Sequence, residues 1–269
     1  MTVRQFTLPA IGRFEGRKDH FIIGEMSELA EFAGAITSPT WNGRGKWTNY
    51  VDHAGAIERM KKGDVPSVEA SDKFLRMVEE ILPAPTARHE IIDDVQGGVP
   101  NVPAFLAGVP LNMRRKVKRE NEAAPIAIIV NMTTSAAISG GQMAKRGAAI
   151  AALARALSSR RPVELWAGTG MDAHGSDASW NFWRIETAPL DLARAAFLLA
   201  HPAATRYALH NICGHFHKST GHWPYSSLMG QPDLERTIVR RAFPHVEDLI
   251  YVPSAYGNDK VISDPIGWV

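Results

Sequence analysis

Asn131, Thr133 and Ser135 carry oxygen-bearing side chains on alternate residues. An apolar run, Ile126 to Val130, stands directly before them, and an alanine-rich stretch follows from Gly140 to Ser158. Hard oxygen ligands of this kind suit Mg²⁺ or Ca²⁺. The competing reading is that they cap the following helix and bond loop backbone. A second cluster is His210-x-x-Cys213-x-His215-x-His217-x4-His222. Imidazole and thiolate are the usual Zn²⁺ ligands, and four such groups close a tetrahedral site. The spacing matches no standard finger or HExxH helix. His215 and His217 share a face only in extended chain. The alternative is a hydrogen-bonded loop packed down by Trp223 and Tyr225.

A third set is basic and aromatic. Trp41, Arg44 and Trp47 lie in a turn-rich stretch, while Arg114, Arg115 and Lys116 open a run that continues to Lys118 and Arg119. Rings that stack on bases and cations that meet phosphates make a nucleic-acid face. The competing readings are a loop pinned by packed indoles and a solvated linker or edge strand. Nucleophilic catalysis has less support. Ser135 lacks a Gly-x-Ser-x-Gly setting, Cys213 with His215 lacks an orienting acid, and Gly168-Thr169-Gly170 lacks the spacing of a phosphate loop.

The elements that position these residues change character along the chain. Before residue 121 the pattern is mainly helical: 26–35, 52–62, and 68–82, where Phe74, Leu75, Val78, Ile81 and Leu82 form a stripe. A short strand is expected near 21–23 and another at 90–95, with 1–20 an irregular lead-in. From Pro125 the pattern is α/β. Strands are expected at 126–130, 163–167, 178–187 and 248–252, helices at 140–158, from Pro189, at 203–212 and at 233–243. Polar loops are expected at 168–177 and 214–231. Ser139 is placed to cap the helix from Gly140. An uninterrupted apolar strand suits a parallel sheet covered on both faces. The expected fold is therefore a three-layer, Rossmann-like α/β domain at 122–269 with a mostly parallel sheet and helices on both faces. A mainly helical segment, 1–121, packs on it. In such sheets ligands gather beyond the carboxyl ends of the strands. Those ends bring Asn131, Thr133 and Ser135 toward Thr169, Asp172, Ser254 and Asp259.

The placement of Asn131-x-Thr133-x-Ser135 after the first α/β strand resembles von Willebrand factor A domains, whose first strand ends in an Asp-x-Ser-x-Ser metal motif. The resemblance spans about 125–255 and implies a sheet of that type with a divalent-metal site at its edge. The family's leading Asp is Asn131 here, which removes a formal charge, and its later Thr and Asp have no firm match. Trp41-Asn42-Gly43, the segment 102–113 (VPAFLAGVPLNM) and Lys145-Arg146-Gly147-Ala148-Ala149 are similar to uncharacterised proteins encoded in tailed-phage genomes.

Composition narrows the classes. The chain has 269 residues, 45% hydrophobic and 22% charged, with formal net charge +2. That is globular composition without a strongly basic balance. Cys213 is the only cysteine, so no internal disulfide forms. No signal-like or membrane-length apolar run is present, which implies a cytoplasmic protein (host cytoplasm if phage-encoded) without a membrane partner. The favoured expectation is a non-enzymatic protein-binding adaptor of phage origin that uses the loops after the strands. The alternatives are a zinc-dependent hydrolase or nuclease using the 210–222 cluster, and a nucleic-acid-associated phage factor.

Overall fold

The computed structural model describes residues 3–10, 16–37, 39, 45–64, 66, 68–69, 76, 89–118, 125–135, 137–158, 161–172, 177–186, 192–218, 231–256 and 260–264. Its strands, in chain order, are β1 (Arg4–Pro9), β2 (Lys18–Glu25), β3 (His89–Asp94), β4 (Val99–Pro100), β5 (Met113–Lys118), β6 (Ile126–Asn131), β7 (Val163–Asp172), β8 (Ala178–Ile185) and β9 (Asp248–Val252). They form a six-stranded sheet in the order β1-β2-β8-β7-β6-β9 and a separate three-stranded sheet in the order β3-β5-β4.

The main sheet is mixed but mostly parallel. β6 runs parallel to both β7 and β9, and β2 runs parallel to β8. β7–β8 and β1–β2 are antiparallel pairs. Every residue of β6 is buried, as its apolar run predicts for a strand covered on both faces. Ile128 and Val130 face a cluster that includes Leu29, Met60, Met143, Ile150, Leu198 and Ile212 from the surrounding helices. Ala127 and Ile129 face Ile238, Val239 and Phe243, from the helix Pro232–Ala242 and its end. Helices thus cover both faces of the strand, which agrees with the expected layering. Among the described residues no helix is long and apolar enough to cross a membrane.

The helix Gly140–Ser158 starts as expected. The Ser139 Oγ accepts from the Gln142 amide at 3.3 Å, and the Gln142 Oε1 accepts from the Ser139 amide at 2.8 Å. This is a reciprocal cap. Along that helix, Gly147 permits a close crossing with the helix Leu192–Ala200. A Cβ at 147 would lie 2.5 Å from the Leu199 carbonyl oxygen.

Four expectations change. First, β7 runs on to Asp172, so 168–172 is strand and not a polar turn. The glycines there serve as seats for rings. A Cβ at Gly168 would stand 2.5 Å from the Phe182 ring, and one at Gly170 would clash with the Trp180 ring. Second, the described part of the lead-in holds a strand. β1 pairs with β2 from Lys18 to Ile23, and Phe6 stacks on Phe21 at 5.2 Å. The main sheet therefore takes two strands from before residue 121, and the mainly helical 1–121 segment is not a layer apart from it. Third, the basic run 113–118 is the middle strand of the small sheet and not a linker or edge. Fourth, the chain after His201 continues as a wide-turned helix, Ala204–Leu209, and then as the helix His210–Lys218. Burial of Leu209, Ile212 and Cys213 in the core outweighs the roughly 1 kcal/mol that Gly214 costs a helix. The stripe expected at 68–82 lies outside the described residues, apart from three positions.

Candidate functional site

β6 ends at Asn131, and a hydrogen-bonded network gathers on that end. The Thr133 amide donates to the Asn131 Oδ1 at 3.0 Å, a local turn that Asn favours. The Asn131 Nδ2 donates to the Glu235 Oε2 at 3.1 Å. Glu235 lies in the first turn of the helix Pro232–Ala242 and is completely buried. Its Oε2 also accepts from the Tyr251 hydroxyl at 2.7 Å and from the Ser254 amide at 3.0 Å; its Oε1 accepts from the Ser254 hydroxyl at 2.5 Å. Burying a carboxylate costs several kcal/mol unless its lone pairs are met. Four donors meet them here. Burial, followed by the nearby Glu235 carboxylate, pushes the Tyr251 phenol well above its ordinary value. Tyr251 therefore stays a donor at neutral pH.

Arg146 reaches the same strand end from the helix on the opposite face. It is 1% exposed, and its Nη2 donates to the Asn131 carbonyl at 2.9 Å and the Pro253 carbonyl at 2.6 Å. A buried acid and a buried base thus clamp one strand end from two sides. Between the strands, the Thr133 and Thr169 hydroxyls meet at 2.5 Å. The segments after β6 and β9 run side by side through Ala255 amide to Thr133 carbonyl, 2.9 Å, and Ser135 amide to Ala255 carbonyl, 3.0 Å.

The rule that chemistry collects at strand ends therefore brings Asn131, Thr133, Thr169 and Ser254 together. It does so in the interior. All four are at most 3% exposed and spend their polar atoms on one another or on Glu235. Ser135 is half-buried, and its Oγ accepts from the Ala137 amide at 3.3 Å. Asp172 lies at the far end of β7, opposite Ala178. Asp259 lies outside the described residues. Sequence reasoning missed Glu235 and Arg146. Glu235 had a signal: it falls in line with Ile238, Val239 and Ala242 at helical spacing, on the buried stripe.

The 210–222 cluster is divided by the helix it lies on. Residues two apart on an α-helix point roughly 200° apart. Cys213 is buried, with the Asn181 Nδ2 3.1 Å from its Sγ, while His215 is exposed. The two do not converge on one ion. Burial, with the neighbouring Arg206, pushes the His210 imidazole down to about 3. The side chain of His217 and all of His222 lie outside the described residues. Among the described residues no three His, Cys, Asp or Glu side chains are grouped to hold a metal. Burial pushes the Cys213 thiol up to about 11. Only the thiolate attacks an alkylating agent, so at pH 8 native Cys213 is expected to react with iodoacetamide about 100-fold more slowly than in urea. Mass spectrometry of the labelled protein measures this.

The nucleic-acid set is also dispersed. Trp41 and Arg44 lie outside the described residues. Trp47 donates from Nε1 to the Ile138 carbonyl at 2.6 Å, and the Arg206 guanidinium sits 4.9 Å above its ring. Its face is taken by the chain itself. Arg114 and Arg115 pair with acids on β3: Arg114 with Asp93 directly opposite at 3.6 Å, and Arg115 with Asp94 on the diagonal at 2.8 Å. Lys116 pairs in register with Ile91 and is exposed.

The fold and this site define a mixed α/β protein whose sheet edge is locked by an internal polar network. A family model described as Domain of unknown function (DUF7192) matches residues 18–264, and the chain belongs to that family. No curated protein and no solved structure matches the chain.

Proposed function

We propose that the chain is a non-enzymatic protein-binding adaptor whose docking element is the segment 89–118. The observation that carries this is its exposed apolar surface. Eight of the ten large exposed apolar side chains among the described residues fall between 91 and 111. Phe105 and Leu106 are 65% and 78% exposed, and no described side chain from 91 to 117 is buried. A three-stranded sheet needs an apolar face packed on something to be stable. Large exposed apolar side chains concentrated in one segment mark a candidate interaction site. The partner's chemistry follows from the charges. Asp93 and Asp94 already neutralise Arg114 and Arg115 across the strands, which leaves little to attract phosphate. An apolar protein surface is the complementary partner.

This reading keeps the expectation of an adaptor and moves its contact surface away from Asn131 and Thr133, which are buried, and from the half-buried Ser135. Kinship with von Willebrand factor A domains belongs to the proposal; the strand–helix–strand–hairpin order from 126 to 185 supports it. Phage origin likewise belongs to the proposal, and the segment 102–113 that carries that resemblance lies within the docking element.

The test is the double substitution F105S/L106S. Because both side chains are exposed, its melting temperature should stay within about 2 °C of the parent. A partner captured by the parent chain from its native lysate is then purified and titrated. It should bind the parent and bind the variant at least tenfold more weakly. Light scattering on the isolated chain tells whether the partner is a second copy. Equal binding by parent and variant would overturn the proposal.

A further inference from the structure

A cleft of about 210 Å³ is lined by Asn49, Arg59, Asp64, Gly140, Ala144 and His201, among others, and shares none of its lining with the Asn131 network. We propose that it binds a small oxyanion, either phosphate or the phosphate or carboxylate end of a small molecule. His201 is 6% exposed. The Ala203 amide donates to its Nδ1 at 3.1 Å, which places the proton of the neutral ring on Nε2. Among the described residues Nε2–H has no hydrogen-bond partner. That donor is not sealed from solvent, so an acceptor bound in the cleft can take the place of the water it meets. Burial pushes the imidazole down to about 4, so at neutral pH it remains a single-proton donor.

The other groups favour an acceptor-rich ligand. The Arg59 Nη1 donates to the Asp64 Oδ1 at 2.6 Å. That bond balances the Asp64 charge and leaves further guanidinium N–H groups for a ligand. Gly140 opens a helix of nineteen residues, whose N-terminus favours negative charge. Among the described residues, Asn49 and Tyr50 are the two non-glycine residues in the left-handed region, at φ 51° and 58°. Such backbone costs on the order of 1 kcal/mol per residue and persists only when surroundings fix it. Here the Tyr50 amide bonds the Gly45 carbonyl at 2.9 Å, and the Thr48 hydroxyl bonds the Gly45 and Val51 carbonyls, both at 3.0 Å. Asn49 is thereby held on the wall of the cleft. The volume equals that of roughly seven liquid waters, enough for a tetrahedral oxyanion with a short tail.

The experiment titrates full-length ¹⁵N-labelled protein with inorganic phosphate, and separately with acetate, against sodium chloride at matched ionic strength. The expected result is saturable shifts of the His201 ring and the Gly140 amide with at least one oxyanion. Phosphate saturating first identifies a phosphate ligand, and acetate saturating first a carboxylate. Ala144→Met fills the cleft from a half-buried position without breaking a hydrogen bond, and should weaken binding at least tenfold; Arg59→Gln should do the same. Absence of saturable shifts with both probes would overturn the proposal, as would unchanged affinity in both variants.

Discussion

Glu235→Ala should lower the stability of the protein by about 4 kcal/mol, the largest loss expected from any single side chain outside the apolar core. The substitution removes the acceptor for four donors at once: the Asn131 amide, the Tyr251 hydroxyl, and the Ser254 amide and hydroxyl. None of these groups has water to turn to, because Asn131, Tyr251 and Ser254 are themselves buried. Glu235→Gln keeps the shape but turns an NH₂ toward one set of donors, so about half the loss is expected. Urea unfolding followed by circular dichroism measures both. A chain of this size should also melt roughly 10 °C lower in the Ala variant. Loss below 1 kcal/mol would mean that the network is open to solvent. The same site gives stability an alkaline limit. The Tyr251 proton is held more tightly in the folded chain than in the unfolded one, where it titrates near 10. The stabilisation is complete below pH 10 and declines as pH rises above it. Tyr251→Phe should remove that decline.

Arg146→Ala comes second, at about 3–4 kcal/mol. It leaves the Asn131 and Pro253 carbonyls without the Nη2 donor and opens a cavity in the helix–sheet contact. Arg146→Lys should recover little. A point-like ammonium on a flexible stem lacks the planar fork that spans two carbonyls. Because Arg146 and Glu235 grip the same residue from opposite sides, their losses should not add. A double-mutant cycle in urea should return a coupling of about 1 kcal/mol, whereas additivity within about 0.5 kcal/mol would show two independent supports.

How legible these features were depended on how local their causes are. The run 126–130 was readable because burial on both faces leaves its mark residue by residue, and the start of the helix at Gly140 was readable because Ser139 and Gln142 are three apart. The convergence of Asn131, Thr133, Thr169 and Ser254 followed from strand order. Its closure did not, because the closing carboxylate comes from residue 235. The extension of β7 was hidden for a similar reason. Gly168 and Gly170 look like breakers until Phe182 and Trp180 lie across them. For Cys213 and His215 a single local choice, helix against extended chain, decided whether a shared ion was geometrically possible. β1 left a trace in Phe6 and Leu8, alternate residues on one face of a strand that was read as irregular.

The parallel pairing of β2 with β8 also sets an order of assembly. His20 takes its place beside Ser179, and Ile23 beside Phe182. During synthesis the N-terminal hairpin emerges first and must wait for its neighbour, roughly 10–30 s at ordinary elongation rates. In that interval Phe21 and Ile23 have no sheet to cover them. Long-range closure of this kind is slow as well as late. The chain's most exposed moment on the ribosome is therefore written into the position of one strand, and it ends only when β8 has left the exit tunnel.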